Sequence, residues 1–187
     1  MNIDFLTLPE IRDIYRQRMK QDFPQNELKP LSMIEKAMKN GRYLCYGLRE
    51  GGGILAYAFF VLTDHIYMFD YFAVRKDLRG TGIGSGFLRE LCRCHSGEAS
   101  CILLEVDDPA YADSEEEKAV RDRRLSFYVK NGLRDTGARA RTFGADFIIL
   151  EYPGKVQHSR EEAGEAYSSI YRSILPEQVC KRMVKIT

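Results

Sequence analysis

Four glycines alternate with other residues in the stretch GTGIGSG (80–86), which joins two apolar segments of different periodicity. The segment before it, HIYMFDYFAV (65–74), is apolar on both faces apart from Asp70, as in a central strand. The segment after it repeats apolar residues on one helical face, at Ile83, Phe87, Leu88, Leu91 and Cys92. The chain is therefore constrained to a strand, a glycine-rich loop and a helix in direct succession.

A glycine-rich loop at the start of a helix is suited to binding an anion. The first N–H groups of a helix have no partner within it, and the helix dipole adds partial positive charge there. Glycine lets an anion approach the backbone closely, so phosphate groups bind at such loops. A tight turn alone would need one or two glycines. Four of them, with Arg75, Lys76 and Arg79 alongside, favour a phosphate site.

Two common phosphate-binding motifs do not fit this loop. No lysine follows the glycines as it does in a P-loop. In the dinucleotide pattern G-x-G-x-x-G, the last position falls on Ser85 or Phe87 instead of a glycine. The segment RKDLR also separates Val74 from Gly80, where a Rossmann turn is tight. A Rossmann-type nucleotide-binding protein stays an alternative, which binding of NAD would support.

The remaining segments predict a mixed sheet covered by helices. Pairs of Ser or Thr with Glu three residues later predict helix starts at Thr7, Ser32, Ser114 and Ser159. Glycines at 51–53 separate two apolar segments and predict a hairpin. The predicted order is two helices, three strands, a helix, a strand, a helix and two strands, then a C-terminal helix. We expect a domain over 1–152 and a helical extension over 153–187, packed on the domain or on a partner subunit.

Charge and composition argue against several kinds of partner. Lys and Arg number 28 and Asp and Glu 27, so no global field draws the chain to nucleic acid or to a membrane surface. We find no signal-peptide pattern and no apolar stretch of membrane-spanning length, and we expect a cytoplasmic protein. The five cysteines are scattered, so we expect free thiols. CRCH (92–95) lacks the second ligand pair of a zinc site, so no metal is expected.

Two motifs in the right order resemble the GNAT superfamily of N-acetyltransferases. The first is R-x-x-G-x-G, formed by Arg79, Gly82 and Gly84 after a strand that ends in FAV. The second is RRLSFYVKNGLRDTG (123–137), which is similar to the family's helix with Phe-Tyr, with Leu133 in place of its usual final Phe. The resemblance covers about residues 1–152. It implies an α/β (α+β) fold with a mixed, mostly antiparallel central sheet, splayed middle strands and flanking helices.

The resemblance implies acetyl-CoA, and hence coenzyme A, as a co-substrate. Its diphosphate would rest on the backbone N–H groups of the glycine loop, and its pantetheine arm would pair with the strand before that loop. The implied contacts are Phe72, Ala73 and Val74 for the arm, Arg79, Gly80, Thr81, Gly82, Ile83, Gly84 and Ser85 for the diphosphate, and Tyr128.

The chemistry implied by the resemblance is acetyl transfer to a primary amine by direct attack on the thioester. Tyr128 stands at the family's Phe-Tyr position, where it would serve as the acid for the leaving thiolate. Packing beside Phe127 is its structural alternative. A phenol has a reference pKa of about 10, so it stays protonated at neutral pH and can donate. A backbone N–H near Val74 is the family-like donor for the carbonyl oxygen.

A base is also required, because an ammonium with a pKa of about 10.4 must lose its proton before it attacks. Asp70 and Glu105 each interrupt an apolar strand, where a carboxylate is costly unless it is paired or functional. The alternative role for such a carboxylate is a salt bridge to Arg121, Arg123 or Arg124. Asp107 and Asp108 are expected at the solvated surface.

The acceptor is left open by the sequence. A small-molecule amine and a protein amine both fit, and the C-terminal helix could join two copies in a homodimer. A non-catalytic acyl-CoA-binding or regulatory domain is the alternative function. Tyr128 and the acidic strand positions argue against it, because a pure binding module needs neither.

Overall fold

The computed structural model describes residues 1–25, 27–63, 65–154 and 156–187. They form two compact units, one of Met1–Leu62 and Asp70–Phe87 and one of Thr63–Phe69 and Leu88–Thr187. The strands are β1 (Asn2–Phe5), β2 (Tyr43–Glu50), β3 (Gly53–Leu62), β4 (Ile66–Val74), β5 (Cys101–Asp107), β6 (Arg134–Thr142), β7 (Ala145–Pro153) and β8 (Val184–Ile186). The α-helices are α1 (Leu8–Ile14), α2 (Lys20–Asp22), α3 (Leu31–Lys39), α4 (Ile83–His95), α5 (Glu115–Lys130), α6 (Arg160–Ile174) and α7 (Glu177–Met183). No helix in these ranges is both long and apolar enough to cross a membrane.

The first unit contains the antiparallel strands β1, β2 and β3. The predicted hairpin between β2 and β3 is confirmed, because Gly51 and Gly52 take φ values of 56° and 81° between strands paired from Tyr43↔Val61 to Glu50↔Gly53. Such positive φ values suit glycine, which has no Cβ. Strand β1 was not predicted, and it pairs with β2 from Asn2↔Arg49 to Phe5↔Tyr46. The core of this unit includes the fully buried Tyr57, Phe59 and Phe60 of β3.

The helices of the first unit begin largely where their sequence signals lie. The Thr7 backbone N–H donates to the Glu10 carboxylate at 2.8 Å, which confirms the capping box of α1. A π-helical segment (Tyr15–Met19) joins α1 to α2. Helix α3 starts at Leu31, after Pro30, and not at Ser32. The carboxylate of Glu35, which was expected to cap this helix, accepts instead from the Arg12 Nε at 2.7 Å.

The second unit orders its strands as the first half of β4, then β5, β7, β6 and β8. Strand β5 is antiparallel to β7 over its whole length, from Cys101↔Pro153 to Asp107↔Phe147. Its parallel ladder with β4 runs only from Ile66↔Cys101 to Phe69↔Leu104 within the described residues. Strand β4 continues beyond Phe69 to Val74, in the first unit. The mixed α/β fold, in which most strand pairs are antiparallel, confirms the predicted fold class.

The C-terminal extension is built into the second unit. Helix α6 starts at the predicted capping box, where the Ser159 N–H donates to Glu162 at 2.7 Å. Its predicted apolar face is buried at Ala163, Ala166, Tyr167, Ile170 and Tyr171. Helix α7 and strand β8 follow and were not predicted. Strand β8 pairs with β6 from Ala140↔Ile186 to Thr142↔Val184, so the extension adds a strand to the sheet of this unit.

The five cysteines are all free thiols, as predicted. Cys45 is buried in the first unit, and Cys92, Cys101 and Cys180 are buried in the second. Only Cys94, on helix α4, is exposed among them. Burial raises the pKa of Cys92 and of Cys101 to about 12, so these two thiols stay protonated and unreactive at neutral pH.

Candidate active site

The glycine loop presents an open row of backbone N–H groups. It leaves β4 at Val74, passes a short 3-10 turn (Lys76–Leu78) and enters α4 at Ile83. Gly80 and Gly82 have φ values of 81° and 88°, and a Cβ at either position would meet no atom within 4 Å. The helical hydrogen bonds start with the Gly86 N–H, which donates to the Gly82 carbonyl at 3.0 Å. Within the described ranges, the N–H groups of residues 80–84 therefore have no acceptor in the protein.

This row of donors fits a diphosphate. Five successive N–H groups lie at the positive end of α4. Gly80 and Gly82 have positive φ values and no side chain, so the space in front of these N–H groups stays open. Of the residues implied to contact the diphosphate, Arg79 differs in role. Its own backbone N–H already donates to the Lys76 carbonyl at 3.3 Å.

The Arg79 side chain fixes the loop. Its Nε donates to the Val74 carbonyl at 3.1 Å, and its Nη2 donates to Asp22 Oδ1 at 2.9 Å. Asp22, at the end of α2, is nearly buried and also accepts from the Tyr57 hydroxyl at 3.0 Å. The sequence analysis missed Asp22, since the polar segment around it carries no motif. The arginine of the motif therefore ties the loop to the end of β4 and to α2.

A second arginine adds positive charge in the same unit. Arg18 donates from Nη1 to the Ile54 carbonyl at 2.9 Å and lies over the Tyr57 ring at 4.8 Å. Burial lowers the pKa of Arg18, and repulsion from Arg75 and Arg79 acts in the same direction. Arg18, Arg75 and Arg79 thus place three guanidinium groups in the first unit, and positive charge there favours an anion.

The end of β4 exposes one backbone edge within the first unit. Its other edge lies beside β3, and the Arg75 N–H just after the strand donates to the Leu55 carbonyl at 2.8 Å. Ala73 and Val74 are buried, and Phe72 stacks on Phe87 with ring centroids 5.7 Å apart. Among the described strands of the first unit, β3 neighbours β4 on one side. A ligand arm that carries amide groups can pair with a strand backbone on the other side.

Asp70, one of the two predicted bases, forms a buried ion pair with Lys29. Its side chain is 1% exposed and contacts the Lys29 ammonium and the Tyr43 hydroxyl. Burial, and then the charge of Asp70, raises the pKa of Tyr43 well above its usual value, so the phenol stays protonated and donates. Asp70 therefore has a structural role in a buried ion pair.

Glu105, the other predicted base, has partners that the sequence analysis did not find. Its carboxylate accepts from the Tyr171 hydroxyl at 3.0 Å to each oxygen and from the Tyr167 hydroxyl. Of the alternative partners, Arg121 contacts the Asp108 carbonyl and Arg124 contacts the Asp107 carboxylate. Two tyrosine hydroxyls therefore hold the Glu105 carboxylate by hydrogen bonds.

Tyr128 combines burial with a protonated hydroxyl. It lies on α5 with its ring 5.1 Å from that of Phe127, in an edge-to-face contact. Burial raises the pKa of Tyr128 to about 12, with a smaller contribution from Asp107 that Arg124 opposes. No hydrogen bond of the Tyr128 hydroxyl is found within the part of the chain that the structure describes. The phenol is thus able to donate to a ligand.

Asp107 and Asp108 are not the solvated surface residues that we expected. The Asp107 side chain is 18% exposed and paired with Arg124. Asp108 is buried, caps the turn at Pro109–Tyr111 by accepting from the Ala110 N–H at 2.9 Å, and lies 3.6 Å from Arg139. Both carboxylates shape the loop after β5.

A buried cluster elsewhere in the second unit was also missed. Glu151 of β7 is fully buried and contacts Arg134 of β6 and the Nδ1 of His158, the latter at 2.6 Å. Cys101, Glu151 and His158 each offer one potential metal-ligand atom, and these three atoms lie within 4.8 Å of one another. The Arg134 guanidinium already neutralises Glu151, and Cys101 holds its proton at neutral pH. The cluster is therefore suited to anchoring the segment before α6 and poorly suited to a cation.

Comparison with known proteins agrees with the two motifs. The acetyltransferase (GNAT) family profile matches residues 8–115. YjbC of Bacillus subtilis, whose name places it among acetyltransferases, is 30% identical over 166 residues, 84% of this chain and 79% of that protein. A GNAT-family structure from Bacteroides thetaiotaomicron superposes with a TM-score of 0.68 at 18% identity, over 93% of this chain and 98% of that one. An aminoglycoside 6′-N-acetyltransferase solved with coenzyme A has a TM-score of 0.60 at 14% identity, over 85% and 100% of the two chains. Both structural likenesses show a shared fold.

Proposed function

Since the chain belongs to the GNAT family of acetyltransferases, we propose that it transfers the acetyl group of acetyl-CoA to a primary amine. The observation that carries the proposal is the row of unpaired N–H groups over 80–84 at the start of α4. The acceptor is a small-molecule or protein amine that attacks the thioester directly. Acetyl-CoA supplies the activated acyl group, and the protein supplies binding, a base and a donor.

The first unit holds the co-substrate in this proposal. The N–H groups from Gly80 to Gly84, with the first turn of α4 at Ser85, bind the diphosphate, and the Arg79 side chain keeps the loop in place. The backbone of Phe72, Ala73 and Val74, at the end of β4, pairs with the pantetheine arm, as the family resemblance implies. The apolar side chains of these strand residues serve packing, so the backbone alone makes the contacts.

Glu105 and Tyr128 carry the proton chemistry in this proposal. Glu105 takes the proton from the amine, and the hydroxyls of Tyr167 and Tyr171 hold its carboxylate, whereas Asp70 is paired with Lys29. Tyr128 donates a hydrogen bond to the leaving thiolate. A phenol with a pKa of about 12 is a weaker acid than a thiol, whose reference pKa is about 8.5. Tyr128 therefore stabilises the thiolate without transferring its proton completely.

Binding of coenzyme A to the glycine loop is tested by thermal unfolding. At 100 times its Kd, CoA adds about 2.7 kcal/mol, which raises Tm by roughly 5–10 °C for a chain of this length. Gly82→Val places a β-branched residue at a φ of 88° and should weaken binding at least tenfold. The CoA-induced shift should then fall to about half or less, since a tenfold loss is about 1.4 kcal/mol.

Gly86→Ala is the matched control for this experiment. Gly86 lies inside α4, its φ is not positive, and an added Cβ meets nothing within 4 Å. Alanine should leave the CoA-induced shift intact and add up to about 1 kcal/mol of helix stability. Two results would contradict the assignment of the glycine loop as the CoA diphosphate site. One is a full CoA-induced Tm shift in Gly82→Val, and the other is a Tm shift with NAD or ATP but none with CoA.

Loss of the Tyr128 hydroxyl should slow turnover and leave the affinity for CoA unchanged. A hydrogen bond to a charged group contributes about 1.5–3 kcal/mol, so Tyr128→Phe should lower kcat roughly 10- to 100-fold. CoA release would be followed by chromatography with spermidine, kanamycin and a peptide with a free α-amine as acceptors. Tyr111→Phe removes a hydroxyl from an exposed ring and is the control.

The outcomes of this measurement separate three roles. An unchanged kcat would exclude Tyr128 from the reaction. An equal loss of turnover and of the CoA-induced Tm shift would assign Tyr128 to packing. CoA binding by the wild-type chain without transfer to any amine would favour the non-catalytic acyl-CoA-binding domain.

A further inference from the structure

We propose that helix α6 belongs to the catalytic apparatus, with Tyr167 and Tyr171 as positioning residues that hold the Glu105 carboxylate in one orientation. The inference rests on the proposed function, in which Glu105 takes the proton from the amine. It extends that function to residues outside the 8–115 match to the family profile and beyond the domain that the motifs cover.

The two tyrosines are placed on α6 so that their hydroxyls converge. They are four residues apart and share one helical face, with ring centroids at 5.0 Å. The Tyr171 hydroxyl lies 3.0 Å from both oxygens of Glu105, and the Tyr167 hydroxyl contacts Oε2. Two donors from neighbouring turns thus restrict both the position and the rotation of one carboxylate.

Thr142 extends the arrangement to a third element. Its Oγ1 lies 2.7 Å from the Tyr167 hydroxyl oxygen, so the two form a hydrogen bond. The Tyr167 hydroxyl has one proton, and that proton goes to Glu105 because a carboxylate can only accept. Thr142 of β6 is therefore the donor to Tyr167, in a chain from Thr142 to Tyr167 to Glu105. Burial, and then the charge of Glu105, raises the pKa of Tyr167 well above its usual value, which keeps its proton in place.

Packing alone does not account for these hydroxyls. Tyr167 and Tyr171 are 0% and 2% exposed, so phenylalanine would fill the same core space without a polar atom to satisfy. A buried hydroxyl costs free energy unless it is bonded, and here both hydroxyls donate to Glu105. Fixed partners of this kind reduce the reorganisation that a catalytic group needs during reaction. Strand β8 of the extension also pairs with β6 at Thr142, opposite Val184.

A mutant cycle distinguishes positioning from packing. Tyr167→Phe, Tyr171→Phe and the double substitution would be made in the wild-type chain and in Glu105→Gln. In the wild-type chain, each single change should lower kcat about tenfold, with the KM for acetyl-CoA and the CoA-induced Tm shift unchanged. In the Glu105→Gln chain, the same changes should have almost no further effect, because the tyrosines act through Glu105.

Ser169→Ala, which removes another hydroxyl from α6, is the control and should keep full kcat. The inference is overturned if the tyrosine variants keep full kcat, or if their losses are equal in both backgrounds. Full activity of Glu105→Gln would overturn the base assignment and the positioning role with it. Absence of acetyl transfer by a wild-type chain that binds CoA would overturn both and reject the proposed function itself. These outcomes separate failure of the inference from failure of the function.

Discussion

Replacing Glu105 by Gln lowers kcat for acetyl transfer about 10²- to 10⁴-fold, the range that a general base contributes. The substitution keeps the size of the side chain and an oxygen that can accept from Tyr171 and Tyr167. It removes the charge that takes the amine proton. The KM for acetyl-CoA should change little, since the proposed CoA contacts lie on the glycine loop and the end of β4. The measurement is initial-rate kinetics of CoA release with the amine panel.

Asp70→Asn is the matched control for this substitution. It removes the other predicted base by the same change from carboxylate to amide. Because Asp70 is 1% exposed and paired with Lys29, its loss should lower Tm and leave the kcat of the folded enzyme within a few-fold. If Asp70→Asn abolishes turnover and Glu105→Gln does not, the base is Asp70.

Replacing Glu151 by Gln lowers the free energy of unfolding by about 3 kcal/mol. Loss of one partner from a buried ion pair typically costs about 3–5 kcal/mol, because the remaining charge is left uncompensated. The lower end applies here, since the Arg134 side chain is 25% exposed and can recruit water. His158 also loses a carboxylate partner at 2.6 Å. Urea denaturation followed by circular dichroism measures the change.

A surface ion pair of the same hairpin is the control for Glu151. Arg141 and Asp146 lie 3.0 Å apart, and the Arg141 side chain is 56% exposed. Arg141→Ala should change the free energy of unfolding by no more than about 1 kcal/mol. Equal effects of the two substitutions would contradict the assignment of the Glu151 cluster as an anchor.

Elements with a strong local signal could be predicted from the sequence. The glycine loop, the apolar face of α4 and the capping box at Ser159 each depend on residues a few positions apart. Strands β1 and β8 could not be predicted, because they have four and three residues, too few to show a period. Both exist through pairing with distant strands. Helix α3 shows a smaller difference, since Pro30 precedes it and its fixed φ suits a helix start.

In the candidate site, too, features with local sequence signals could be predicted, whereas contacts between distant residues could not. Gly80, Gly82 and Tyr128 are predicted site residues because they belong to motifs whose members are close in sequence. The partners of Glu105 were not found, because Tyr167 and Tyr171 are 62 and 66 residues away and also satisfy an apolar helical stripe. Periodicity identified the correct buried face of α6, but it does not distinguish a tyrosine that fills space from one that donates a proton. The Asp22–Arg79 contact, across 57 residues, was missed for the same reason.

The buried cysteines lie in both units, so their reaction with a thiol reagent can report local unfolding of each unit. Cys45 belongs to the first unit, and Cys92, Cys101 and Cys180 belong to the second. A buried thiol reacts with an alkylating reagent only when its surroundings open, so alkylation rates under native conditions measure the opening free energies of the units separately. Mass spectrometry of the labelled peptides reads both rates in one sample, with the exposed Cys94 as the fast internal standard. A ligand bound at the glycine loop would slow the labelling of Cys45 if it stabilises the first unit, and no probe has to be introduced.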